Sequence, residues 1–374
     1  MLFGMRRTEA AVKERQCLYE GKKLNRRIHY IDNLRWITVS LLILFHAAIA
    51  YNTWEEANYI FFKPVKVIAA IVSFINPWFM PLMFLLAGVS SRFSLQKRGY
   101  KTFIKERFVR LGVPLIFGIL FINPILSYVA DQTHNGYKGS FFSHYEVFFT
   151  KFTDLTGYDG GFTLGHFWFL AVLIVVSLLS CAVILIVERT KSGVGKKVAG
   201  IILAVLAVAT FDIKVSGKPV YTFLALYLLG YFVFSDEGFV KRLSGLKWVY
   251  TAAFLIASAA NVTLFIFIGK YETLNTVCNY LAFIFGITAL ISIGHDHLDR
   301  SNKVTEFNAR LSYVFYIIHF PVVVLCQYFL GRAGVGCELN YILTVVITYP
   351  VVYGICFLID KTRYIRVLFG LKRK

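Results

Sequence analysis

The apolar residues of this chain arrive in long runs, and that spacing limits the possible folds more than any other feature. Ten runs are readable, at about 34–53, 67–91, 108–130, 166–187, 198–212, 219–235, 247–268, 276–293, 310–330 and 340–360. A helix needs about 20 apolar residues to cross a hydrocarbon core of about 30 Å. The pattern predicts an all-α, polytopic integral membrane helical bundle of about ten transmembrane helices. The fifth, sixth and eighth runs are short, so a merged or re-entrant segment would fall there. Composition agrees: 57% of the 374 residues are hydrophobic and 16% are charged, where a soluble domain carries about 25% charged residues. No internal repeat or low-complexity linker divides the chain. The simplest organisation is a basic N-terminal segment, 1–30, one membrane domain, 31–362, and a basic tail, 363–374. The polar first thirty residues do not read as a cleavable signal peptide.

The formal net charge is +19. In a soluble protein that balance raises nucleic acid as a partner, but no recognition module is visible and none is expected here. The basic residues instead sort by side. With the N-terminus in the cytoplasm, the segments facing inward hold 32 of the 40 Lys and Arg residues, and the outward segments hold 8. That is the positive-inside distribution. It places the N- and C-termini in the cytoplasm, with membrane lipids as the surroundings. The six cysteines show no CxxC or Cys/His spacing, so no metal site is expected. His295 and His297, beside Asp296 and Asp299, admit a metal-binding reading, but a solvated inner loop is the simpler one.

An ionisable side chain inside a membrane helix is costly and marks a candidate site. The first run contains Arg35 and, eleven residues on, His46. Eleven residues are about three helical turns and about 16 Å of rise, so both project from nearly one face. Arg35 then sits at the inner surface and His46 near the bilayer centre. A neutral imidazole there can take a proton from a hydroxyl, and a guanidinium at the inner mouth can hold a phosphate. The plainer alternative is an interfacial anchor and a histidine satisfied inside the bundle. Arg107 and Arg110, in the basic inner loop between the second and third runs, are spaced i, i+3 and share a helix face. Two guanidiniums there suit a phosphate clamp.

In the ninth run Tyr316 and His319 share a face. A cavity lining and an ordinary helix–helix hydrogen bond both fit them. His166 and Trp168 open the fourth run at the outer surface. An aromatic belt accounts for Trp168, and His166 is placed to face an extracellular acceptor. The outer loop 131–165 is polar, glycine-rich and aromatic, a character shared by carbohydrate-facing loops and by ordinary ones. No motif identifies the group that orients His46; Asn33, Tyr316 and His319 are candidates.

Together these pieces resemble the acyltransferase-3 family of membrane-bound O-acyltransferases, over about residues 28–360. The family's Arg-x10-His motif matches Arg35 and His46, and its Arg-x-x-Arg motif matches Arg107 and Arg110. Phe84-Leu85-Leu86-Ala87-Gly88 is similar to its small-residue motif ending the second span, with Ala87 where Ser is common. The segments around Trp168 and around Tyr316 and His319 also look like family landmarks. Ending at Lys374, the chain is similar to the stand-alone type, without a fused esterase-like domain. The resemblance implies a multi-pass protein of the bacterial inner (cytoplasmic) membrane. It implies acyl-CoA, acetyl-CoA foremost, as co-substrate rather than a tightly bound cofactor, and a glycan or glycolipid hydroxyl as acceptor. His46 would be the catalytic base with Arg35 beside it; Arg35, Arg107 and Arg110 would hold the donor. Trp168, His166, Tyr316, His319 and Asn33 would be acceptor-side contacts. A transporter of a sugar or lipid-linked precursor, and a structural envelope partner, are the alternatives of other classes.

Overall fold

A computed structural model describes residues 28–189, 214–215 and 218–371 of the chain. The fifth apolar run, 198–212, and nearly all of the basic N-terminal segment lie outside the described residues. What is described is almost entirely helical. The elements are α1 (His29–Ile49), α2 (Lys66–Ile75), α3 (Phe79–Arg107), α4 (Asn123–His134), α5 (His144–Thr150), α6 (Trp168–Glu188), α7 (Val220–Leu229), α8 (Glu237–Ser244), α9 (Lys247–Val262), α10 (Glu272–His297), α11 (Lys303–Arg332), α12 (Cys337–Lys361) and α13 (Ile365–Leu368). A two-residue antiparallel pair, Lys214–Val215 with Lys218–Pro219, precedes α7.

Seven helical runs among the described residues are long and apolar enough to cross a membrane. One of them, Lys66–His134, is 69 residues long. At about 1.5 Å per residue it would reach about 100 Å, far beyond one bilayer. It turns at Gly99, where φ is +71° and ψ is 167°, a conformation that glycine adopts without penalty. The basic segment 92–110, expected as a loop, is therefore mostly helix bent at one residue. Beyond Arg107 the chain alternates between π-helix (Phe108–Gly112 and Gly118–Ile122) and α-helix (Val113–Phe117) before α4. The eighth apolar run, short by its apolar core, is a 26-residue helix, α10, because polar ends extend it. A π-helical turn, Gly230–Phe234, extends α7, and the chain then bends by 95° into α8.

α9 packs on α10, α11 on α12, and α1 lies against both α11 and α12. Outward faces stay apolar: Ile186, Ile256, Val346 and Leu358 are each 61–71% exposed, as side chains meant for lipid should be. The tightest crossing is α3 against α7. A Cβ on Gly88 would stand 1.9 Å from the Tyr227 carbonyl oxygen, and one on Gly230 would stand 2.1 Å from the Leu85 carbonyl oxygen. Only hydrogen at both positions lets these backbones approach, as small residues do in membrane helix pairs.

Candidate functional site: two cavities back to back

Two cavities lie along α1, one at each end of the Arg35–His46 face. The first, about 1010 Å³, is lined by Arg35 of α1, by Ser90 of α3, by Arg98, Arg107 and Arg110, and by Lys303, Arg310, Tyr313 and Arg366. Seven basic side chains face it against two acidic ones, Glu106 and Glu306. The second, about 690 Å³, is lined by His46, Tyr59, Trp168, His166, Tyr316 and Phe320, with segments 54–59 and 154–165 at its far end.

The wall between them is thin. On α3, Met80 lines the second cavity and Met83 the first. On α11, Tyr316 lines the second and Tyr313 the first; on α6, Trp168 and Phe169 divide in the same way. Three residues of helix rise about 5 Å, so on these three helices a turn or less of side chains separates the two spaces; on α1 the gap runs from Arg35 to Leu42.

In the basic cavity the arginines are held by neighbouring serines of α3. Arg35 Nη2 donates to Ser90 Oγ at 2.8 Å and Arg35 Nη1 to Asp32 Oδ1 at 3.0 Å. Arg107 Nη2 donates to Ser91 Oγ at 2.5 Å, and its guanidinium lies 4.8 Å from the centre of the Phe103 ring. The Tyr227 hydroxyl also reaches Ser91, at 2.6 Å. The Gly88–Tyr227 contact thus sets how close Tyr227 comes to the serine that positions Arg107. Arg110 is more exposed and sits in the first π-helical turn, yet it lines the same cavity as Arg107.

Three imidazoles gather around one ring at the second cavity; His46 and His166 line it, and His319 is fully buried behind them. His46 lies on Phe320 with centroids 4.1 Å apart, and 5.2 Å from the ring of His319. His319 is 5.3 Å from His166, and His166 is 5.5 Å from Phe320. His166, at the opening of the fourth run, is 4% exposed and lines this cavity together with residues of the 154–165 segment. Its Nε2 is 3.0 Å from the Ile317 carbonyl oxygen. That carbonyl is available because Pro321, four residues on in α11, has no N–H to give it. A carbonyl only accepts, so Nε2 carries the proton of a neutral His166 and Nδ1 is left basic. By the same assignment His319 Nδ1 donates to the Tyr316 carbonyl at 2.6 Å, leaving Nε2 basic. Both remaining nitrogens, His166 Nδ1 and His319 Nε2, are buried without a hydrogen-bond partner. Tyr316 is tied through its hydroxyl to the His166 carbonyl.

Asn33 belongs to neither cavity. Its amide donates to the Leu298 and Arg300 carbonyls at 2.7 and 2.9 Å, and its oxygen accepts from Trp36. It pins the start of α1 to the turn before α11, thirteen residues before His46, and does not orient that histidine. His295 pairs with Asp296, which also binds Lys247; among the described residues no group of three or more His, Cys, Asp or Glu is arranged to hold a metal ion.

The 135–165 segment caps the second cavity. Tyr59 hydrogen-bonds Thr163 at 2.8 Å, Ser127 donates to the Gly160 and Gly161 carbonyls, and Asn123 donates to the Thr163 carbonyl. Buried His144 meets Asp131 at 3.1 Å. Burial lowers the His144 pKa, and Asp131 only partly offsets it. Ser90, Ser91, Tyr59, Phe320 and Arg366 carry no local pattern that marks them in the sequence.

Two cavities, one guanidinium-rich and one lined by imidazoles, thus meet inside the helical bundle of a multi-pass membrane protein. The family model of the acyltransferase domain matches residues 28–361, and the chain belongs to that acyltransferase-3 family. It is an acyltransferase, of the kind that moves groups other than aminoacyl. The chain is similar to glucans biosynthesis protein C of Salmonella typhi and of Salmonella typhimurium (strain LT2). Each is 22% identical over 331 residues, covering 79% of this chain and 82% of the relative. Glucans biosynthesis protein C of Salmonella paratyphi A (strain ATCC 9150 / SARB42) is 26% identical over 191 residues, covering 50% of this chain and 46% of the relative. No solved structure matches the chain.

Proposed function

We propose that the protein transfers a short acyl group, acetyl foremost, from cytoplasmic acyl-CoA to a hydroxyl of a glycan across the inner (cytoplasmic) membrane. The observation that carries this reading is the thin wall between the basic cavity and the His46 cavity. The chain crosses ten times with both termini in the cytoplasm, which puts the basic cavity inside. The phosphates of the donor lie among Arg35, Arg107 and Arg110, and the thioester points toward His46. The acceptor lies in the second cavity against Trp168, Tyr59 and Tyr316, because sugar faces stack on aromatic rings. The glucan named in its relatives supports a glycan on that side.

His46 takes the proton of the acceptor hydroxyl as its oxygen attacks the thioester carbonyl. The new C–O bond forms, the C–S bond breaks, and the proton passes to the departing thiolate. A variant of the same step has His46 hold the acyl group briefly and release it to the acceptor. His166, with a basic nitrogen free, supplies a polar wall for acceptor hydroxyls, and His319 stands buried behind it. The test is purified protein in lipid nanodiscs with radiolabelled acetyl-CoA and a glucan acceptor. Label on the glucan, lost in His46→Ala, is expected. A protein that moves intact sugar precursors and leaves the thioester whole would overturn the reading.

A further inference from the structure

The segment after α12 reads in sequence as a basic tail, and it lies past residue 361, where the family match ends. In the fold it is a wall of the basic cavity. Phe369 is buried and meets Phe117 edge-on at 5.2 Å. Gly370, at φ +70°, fits so closely that a Cβ would stand 2.4 Å from the Tyr313 ring and 3.0 Å from the Arg110 carbonyl oxygen. Tyr313 in turn donates to that same carbonyl at 2.9 Å.

Arg366 is the charged group this segment brings. It is 6% exposed and lines the cavity. Its Nη2 is 3.2 Å from Asp360 Oδ1, while Nε and Nη1 are buried with no partner. Asp360 cannot neutralise it alone, because its other oxygen is 3.3 Å from Arg310 Nη2. A guanidinium offers a rigid fork of donors that matches an oxyanion with several acceptor oxygens. The opposite wall carries Arg107 and Arg110, so the oxyanion best fitted is a multiply charged one.

We propose that Arg366 binds a phosphate of the nucleotide end of the donor, so that the C-terminal segment completes the donor site. This rests on acyl-CoA being the donor, as argued above. A long donor whose reactive end points to His46 leaves its nucleotide at the rim formed by α13, Arg310 and Arg110.

The test uses the full chain in phosphatidylcholine nanodiscs, with CoA and phosphate-free pantetheine as probes in calorimetry. Arg366→Gln is expected to weaken CoA binding about tenfold or more, the usual scale for a lost charged hydrogen bond, and to leave pantetheine unchanged. In the wild type, CoA should slow amide hydrogen exchange over 363–371, a measurement that needs no variant. Unchanged CoA affinity in Arg366→Gln, equal weakening of both probes, or unchanged exchange over 363–371 would each overturn the inference. So would an effect confined to retention of phosphatidylglycerol, which would make the tenant a lipid headgroup. If the wild type bound no CoA, the donor reading itself would fall, and this inference with it.

Discussion

His46 rests on the ring of Phe320, 31° from parallel and 4.1 Å between centroids. An imidazole packed on an apolar ring has few orientations, and the second ring, Phe45, meets it edge-on at 5.3 Å. His46→Ala should therefore insert normally and lose about 10²- to 10⁴-fold in transfer, the usual weight of a general base. Phe320→Leu should keep the imidazole, loosen it, and lower kcat while donor affinity holds. Single-turnover assays with labelled acetyl-CoA decide this; wild-type rates in His46→Ala would end its role as base.

Arg107 is fixed by Ser91 and Phe103, whereas Arg110 is exposed. Replacing both with Gln should raise the donor Kd about tenfold or more, on the scale of a charged hydrogen bond. The rate at saturating donor should change less. Calorimetry with CoA checks it, and an unaltered Kd would remove the pair from the donor site.

Gly88→Ala forces a methyl to within 1.9 Å of the Tyr227 carbonyl oxygen. Overpacking of this kind costs about 1–3 kcal/mol. The α3–α7 crossing must open, and the Tyr227–Ser91–Arg107 chain with it. The expected result is a lower unfolding temperature in detergent and weaker CoA binding. Gly112→Ala is the control, since a Cβ there meets nothing within 4 Å.

Pro321→Ala would supply the N–H that α11 lacks opposite Ile317. That carbonyl would then bond within its own helix and compete with His166 for the same oxygen. Transfer should fall on the order of tenfold for one lost hydrogen bond, with CoA affinity unchanged and thermal stability no lower. A matching rate for variant and wild type would mean that His166 does not need this anchor.

His144 is buried and its pKa lies below the ordinary value of 6.5. A histidine depressed in the folded state adds stability that is whole above its unfolded pKa. That stability is lost as pH falls from about 6.5 through the folded value. The 135–165 cap should therefore exchange its amides faster at pH 5 than at pH 7 after correction for intrinsic rates. His144→Gln should flatten that dependence; a wild-type cap indifferent to pH would contradict the assignment.

Much of this arrangement is legible in the sequence because it is periodic. Eleven residues between Arg35 and His46 put both on one face of α1, and the two cavities sit at those two positions. Run lengths give the helices, except where polar ends lengthen one, as in α10, or a glycine bends one, as at Gly99. What sequence does not carry is what depends on another helix. Ser90 and Ser91 look like ordinary helix serines until α7 and two arginines reach them. Asn33 looks like a neighbour of the site until the Leu298 and Arg300 carbonyls take its amide. His166 looks superficial because nothing local tells that it is buried beside a cavity that the 154–165 segment also lines. Arg366 looks like tail charge because its segment is held by Phe117 against Phe369 and by Tyr313 against Gly370, both distant in the chain.

The thin wall has an electrical consequence. With water in both cavities, the membrane voltage would fall mainly across the layer of Met80, Met83, Phe169, Tyr313 and Tyr316 rather than across about 30 Å of lipid. One elementary charge moved through that layer would exchange about 2.3 kcal/mol with each 100 mV of potential. A neutral acyl group crossing it exchanges none. Acylation rates in proteoliposomes that ignore an imposed potential would mean that the group crosses uncharged and that its proton returns on the side it came from.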